Sequence, residues 1–320
     1  MTNLARFPTN GERRPRADIG LALFAHTGFG LFVVFVKYLL NYLPPFRMLA
    51  VAFTIALPLV LMITNRAINW RELRRREIWL LAAIMMARSL TKLLGLQFTY
   101  ALYVQLVDMA VPLLAPILAW LLLREAMPVG TVLAILITTI GSFLVITVDP
   151  FHMSLPNGHR DLIGIGFAFA SAVLMTLGMV YTRGLTAHRH GLSPQGLFLA
   201  QVFVGAGTYW VLSIVSHESW MEFAHLPSSV MIAFTLLILV SIVAAGISQI
   251  VSLARVKTSL FSTLLSWRLV IAASSSWILL GEKLSTAWQI AGILLVIGSI
   301  TLYLRRQWMT EPMGATRVLA

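Results

Sequence analysis

The stretch "AWLLLRE" (residues 119–125) closes one long apolar run, and "SWILLGE" (276–282) closes another 157 positions later. Carried onward, the same register sets Ala134 against Ala291 and the "IGS" of 140–142 against the "IGS" of 297–299. Leu-rich runs match by chance, but a shared Trp, Glu and Gly-Ser are too widely spaced for composition alone to explain. The chain reads as two copies of one unit.

Composition says where those copies live. Hydrophobic residues make up 58% of the 320, charged residues 11%, and the mean hydropathy is +0.85. That leaves too little polar surface for a water-soluble globule. A helix crossing the hydrocarbon needs about 20 apolar residues. Ten such runs are present, at 19–41, 45–64, 78–97, 100–123, 127–148, 162–182, 197–216, 229–251, 258–280 and 284–304. The first is long, contains Lys37 and leads straight into another span, so it does not read as a cleaved signal. There is no cysteine, which removes disulfides, thiolate metal sites and thiol nucleophiles.

The basic residues orient the chain. Seventeen of the 24 Lys and Arg fall on one side of the ten spans, including Arg6, Arg13, Arg14 and Arg16, the loop "NRAINWRELRRRE" (65–77), Arg305 and Arg306. The opposite side has almost none in its loops, and its "HESWMEFAHLPSS" (217–229) has none. The positive-inside rule places both termini in the cytoplasm, and the expected setting is a bacterial-type inner membrane. The +12 charge is thereby explained by orientation, without nucleic acid. Trp120 then ends an inward-running span and Trp277 an outward-running one. The expected fold is an all-α polytopic membrane protein of ten transmembrane helices in two inverted five-helix repeats. A cytoplasmic tail (1–18) precedes the first repeat (19–148), and an external loop (149–161) leads to the second (162–304) and a second tail (305–320). Two similar halves can rock about a site near the midplane, which is a transporter architecture.

Several segments resemble the EamA-type family of the drug/metabolite transporter superfamily: "KYLLNYLPPFR", "ARSLTKLLGLQFTYAL", "PLLAPILAWLLLRE" and "SWILLGEKLSTAWQIAG". The resemblance implies that helices 1, 3, 4, 6, 8 and 9 surround a central cavity, helices 2 and 7 flank it, and helices 5 and 10 brace it. It leaves the substrate open, since such proteins carry amino acids, amines, vitamins and nucleotide derivatives. Leu269 stands where the resemblance leads one to expect a helix 9 proline matching Pro112.

Charges inside spans carry the specific chemistry, because each costs about 2.5–3.5 kcal/mol at a helix centre on insertion scales. Arg88 and Asp108 sit at matching depth, ~12–14 Å in, on adjacent antiparallel helices, and are the candidate ion pair. Arg268, at similar depth in helix 9, has no acidic partner nearby in sequence. It is the leading candidate for gripping a substrate anion, with Arg88 beside it. Asp108 is the candidate for an amine or a coupling proton. Lys92, one turn from Arg88 on the same face, either extends a positive path or snorkels to the interface. Gln105, Asp108 and Pro112 form one stripe, and Pro112 and Pro116 are hinge candidates. Trp267 falls at the cavity edge; His26, Tyr181, Gln201 and Gln249 are further lining candidates. Lys37 and Arg47 read as interfacial anchors, and Glu125 and Glu282 as caps at the helix 4–5 and 9–10 junctions.

The functional expectation is a secondary transporter, monomeric or homodimeric, for a small metabolite with a carboxylate or other anionic group, first an amino acid or related zwitterion. It calls for no metal, cofactor or catalytic residue. The runner-up is uptake of an S-adenosylmethionine-like zwitterion, implied by relatives resembling "RSLTKLLGLQFTYAL"; an intramembrane enzyme or a non-transporting receptor stands further off. A reporter inserted in 217–229 should read external and one in 65–77 cytoplasmic. Both on one side would remove the inverted topology.

Overall fold

The computed structural model describes residues 15–65, 68–123, 130–146, 158–187, 192–255, 265–282 and 286–310. These are helical, without strands among the described residues. In chain order they form α1 (Pro15–Leu39), α2 (Pro45–Thr64), a short 3-10 turn at Glu72–Arg74, α3 (Arg76–Phe98), α4 (Ala101–Asp108), α5 (Val111–Leu123), α6 (Thr131–Ile146), α7 (His159–Ala187) and α8 (Pro194–Val215). There follow α9 (Met221–Ala224), α10 (Ser228–Leu236), a π-helical segment Leu237–Ala244, α11 (Ala245–Arg255), α12 (Leu265–Leu280) and α13 (Ala287–Thr310). Among the described residues six helices are long and apolar enough to cross a membrane, and four shorter apolar ones accompany them, so the protein is membrane-embedded and multi-pass. Glu125, Lys283, Ser259, Ser262 and most of the expected external loop, 149–157, lie outside the described residues.

Two spans depart from the expectation. The run 100–123 is broken into α4 and α5 at Met109–Ala110. Pro112 has no N–H to give the carbonyl of Asp108, so the first helix stops there and the second restarts with the proline in its own first turn. The break thus precedes Pro112, and Pro116 lies within α5. The run 229–251 contains the π segment, which apolar periodicity does not reveal. Smaller differences are that α1 begins at Pro15, inside the expected tail, and that α7 outruns its predicted span at both ends.

Packing sorts small from large residues. Ala52, Ala56 and Val60, spaced four apart on α2, have no exposed surface, while Ile55, Met62 and Ile63 of the same helix face outward. Lipid tails are as apolar as leucine, so helices associate through close contact of small side chains. α3 lies on α7, α2 on α8, α1 on α11 and α12, and α6 on α13. One close backbone-to-backbone crossing is that of α6 on α13. A Cβ at Gly141 would come within 2.9 Å of the Gly292 carbonyl oxygen, and one at Gly292 within 2.6 Å of that of Gly141.

That crossing can be tested directly. Gly292→Val should destabilise the protein by about 1–3 kcal/mol, the usual scale of overpacking. Gly207→Ala, with nothing within 4 Å of the added carbon, should be neutral or mildly stabilising. Thermal unfolding in detergent reads both, and an unaffected Gly292→Val would mean the helices do not cross there.

Candidate functional site

α3 presents Arg88 and Lys92 one turn apart on one face, and α4 runs back beside it to end at Asp108. The resulting ion pair is not Arg88 with Asp108. Lys92 Nζ donates to Asp108 Oδ2 at 2.5 Å, with the two residues 4% and 1% exposed. Asp108 is the last residue of its helix, where the backbone dipole is already negative, so the carboxylate needs a nearby cation. Lys92 therefore points inward to the carboxylate and does not snorkel.

Arg268 of α12 is 1% exposed. Its Nη2 donates to His26 Nδ1 at 3.3 Å, and its guanidinium lies over the Phe29 ring, 4.9 Å from the centroid. A guanidinium has no acceptor, so His26 must present a bare Nδ1 and carry its proton on Nε2. His26 and Phe29 share one face of α1. Close to them, a Cβ on Gly30 would come 2.9 Å from the carbonyl oxygen of Arg268, so glycine lets α1 and α12 meet where the arginine enters.

These groups form one electrostatic neighbourhood: Arg88, Lys92 and Arg268 all act on Asp108. Several of their polar atoms are buried without hydrogen-bond partners. These are Nε of Arg88, Nε and Nη1 of Arg268, Oδ1 of Asp108, and both Nε2 and Oε1 of Gln105, which is fully buried one turn before Asp108. Each such atom costs about 1–3 kcal/mol, more when charged, unless something else satisfies it. Donors on two cations, Arg88 and Arg268, and both donor and acceptor atoms on α4 are thus left without protein partners.

A second feature opens where α1, α3 and α12 end. A cavity of about 290 Å³ is lined by Lys37, Gln97, Arg160 and Glu282 among others. Lys37 Nζ donates to the Leu96 carbonyl at 2.6 Å, one turn beyond Lys92. Glu282 accepts from the amides of Ala101 and Leu102, at 3.1 and 3.3 Å, and so caps α4 from the opposite half of the chain. Burial pushes its carboxyl above the usual carboxylate range, against the pull of those two amides and of Lys37. Arg47 also departs from the anchor reading. It is buried, donating from Nε to Ser213 Oγ at 2.9 Å, with its guanidinium over Trp220.

The structure therefore gathers Arg88, Lys92, Gln105, Asp108, Arg268 and His26. Trp267 is 42% exposed, and its Nε1 donates to Thr27 Oγ1 at 3.0 Å, beside His26. Tyr181 is apart from this group, packed against the cluster of Ile78, Leu81 and Leu197. Gln201 lies half-buried on α8 and Gln249 half-buried on α11. Pro112 is buried at the start of α5. The mouth cavity was not anticipated, because Lys37 meets a carbonyl and a backbone acceptor leaves no mark in the sequence.

The pair yields a sharp test. Lys92→Met alone leaves Asp108 buried and uncompensated, at a cost of about 3–5 kcal/mol. Adding Asp108→Asn should restore most of that stability in a thermal melt. A double variant no more stable than Lys92→Met would show that the two side chains do not meet.

Comparison with known proteins places this geometry. No curated protein matches the chain. A solved structure, described only as the crystal structure of a protein, is similar over 91% of this chain and 99% of its own, with a TM-score of 0.65 at 15% identity, a likeness of fold alone. Residues 17–147 match the model of the EamA-like transporter family, a family of membrane transporters, and that stretch contains Arg88, Lys92, Gln105 and Asp108. The first half of the chain, with its charged α3–α4 pair, is thus similar to the EamA-like transporters of the drug/metabolite transporter superfamily.

Proposed function

We propose that the protein is a secondary active transporter of a bacterial inner membrane, carrying a small organic metabolite with a carboxylate or other anionic group by alternating access. The observation that carries this reading is Arg268: a guanidinium 1% exposed inside an apolar bundle, with Nε and Nη1 unpartnered. A charge at that depth persists where protein or ligand compensates it. Its direct side-chain contacts are a histidine and an aromatic ring, neither of which cancels the charge, and the nearby Asp108 is paired with Lys92.

Reciprocal contacts support two inverted five-helix halves, each built of five spans. Glu218, in the loop after α8, accepts from the amides of Phe46 and Arg47 at the start of α2. Glu72, in the loop after α2, accepts from the amide of Ser193 at the start of α8. Each half caps the other at the corresponding place. The packing of α3 on α7 is likewise mirrored by that of α11 on α1. Such a pair can rock about the charge cluster, with the α4–α5 break and the π segment as the places where backbone bonding is already interrupted. Asp108, the carboxylate on which Arg88, Lys92 and Arg268 all act, is the proposed proton site. An S-adenosylmethionine-like substrate fits less well, because its sulfonium and ammonium outnumber its one carboxylate at a site with three cations.

Arg268→Lys keeps the charge but loses the planar donor set, and should weaken substrate binding by about 1.5–3 kcal/mol in a folded protein. Arg268→Gln should weaken a carboxylate substrate far more than its amide. Liposome uptake of both compounds by the three proteins is the measurement. Unchanged selectivity in well-folded Arg268→Gln would rule out anion binding by this residue.

A further inference from the structure

Resting on the anion-transport reading, the unpartnered atoms at the centre narrow the substrate further. Lys92 and Asp108 neutralise one another, which leaves Arg88 and Arg268 as two positive charges with no carboxylate of their own among the described residues. A buried cation on α12 and a half-buried one on α3 whose Nε is buried ask for two negative charges. A single carboxylate satisfies one of them and leaves the other bare in a medium that screens poorly.

The hydrogen-bond inventory adds a second requirement. Donors without partners sit on Arg88 (Nε), Arg268 (Nε, Nη1) and Gln105 (Nε2), while acceptors without partners sit on Asp108 (Oδ1) and Gln105 (Oε1). Both acceptors are on α4, one turn apart. A ligand made only of acceptors, such as sulfate, would leave these oxygens unpaired and set its own charge against Asp108. The Phe29 ring under the Arg268 guanidinium gives an organic skeleton an apolar face to lie near.

We infer that the central site is built for a dicarboxylate that carries a hydrogen-bond donor, an α-hydroxy or α-amino diacid: one carboxylate for Arg268, the other for Arg88, and the hydroxyl or ammonium for Asp108 and Gln105. A neutral amino acid supplies the donor and one carboxylate only. A plain diacid supplies both carboxylates and no donor.

The test uses the full-length protein in detergent for thermal shift and in liposomes for counterflow, with malate, glutamate, glutamine, succinate and sulfate as probes. Malate and glutamate should bind, glutamine and succinate about tenfold or more weakly, the loss expected for one charge-assisted contact. In Arg88→Gln the glutamate-to-glutamine preference should collapse towards unity. Arg268→Gln should do the same, which guards against either variant failing to fold. Glutamine bound as tightly as glutamate overturns the diacid inference and leaves anion transport standing. Succinate equal to malate overturns the donor requirement, and sulfate equal to malate reduces the site to an inorganic-anion site. Binding of none of the five overturns the inference together with the transport reading on which it rests.

Discussion

The interaction on which the centre of the molecule depends is the ion pair of Lys92 with Asp108, set where a membrane helix stops. Pro112 ends α4 at the aspartate, the helix dipole adds to its charge, and Lys92 on α3 answers both. Because that pair is closed, Arg88 and Arg268 are left over, and on the proposed reading their excess charge is what would select an anion. Had Arg88 taken Asp108, as depth alone suggests, Lys92 would be the surplus cation and the site would sit a turn away. Buried pairs contribute little net stability, so the arrangement is better understood as fixing which cations remain available.

Much of the architecture was legible in the sequence, and for identifiable reasons. Apolar run length found the helices, since the bilayer sets that length. The paired Trp and Glu of 119–125 and 276–282 suggested equivalent segments and a cap at the helix 9–10 junction, whereas Glu282 caps the start of α4. Legibility failed where the deciding partner was backbone or distant in the chain. Lys37 bonds a carbonyl, and Arg47 lies over Trp220 with a bond to Ser213. The π segment at Leu237–Ala244 shows no break in its apolar pattern; Gly28 is its nearest clue, because a Cβ there would lie 3.2 Å from the Val240 carbonyl oxygen. Within the site, depth identified the charged residues but not which of Arg88 and Lys92 reaches the carboxylate. Both share a helix face, and only the placement of the α4 terminus decides between them.

The carboxylates that cap helices across the molecule also bear on how it is made. The amides of Phe46 and Arg47 find Glu218 about 170 residues downstream, and those of Ala101 and Leu102 find Glu282 about 180 residues downstream. At synthesis rates of roughly 5–20 residues per second, each helix start must wait on the order of ten to thirty seconds before its acceptor emerges. During that interval the first half sits in the membrane with the ends of α2 and α4 open to whatever water or lipid headgroup reaches them. Completion of the second half is therefore also the step that seals the first, so the ribosome's last third sets the moment at which the early helices become committed.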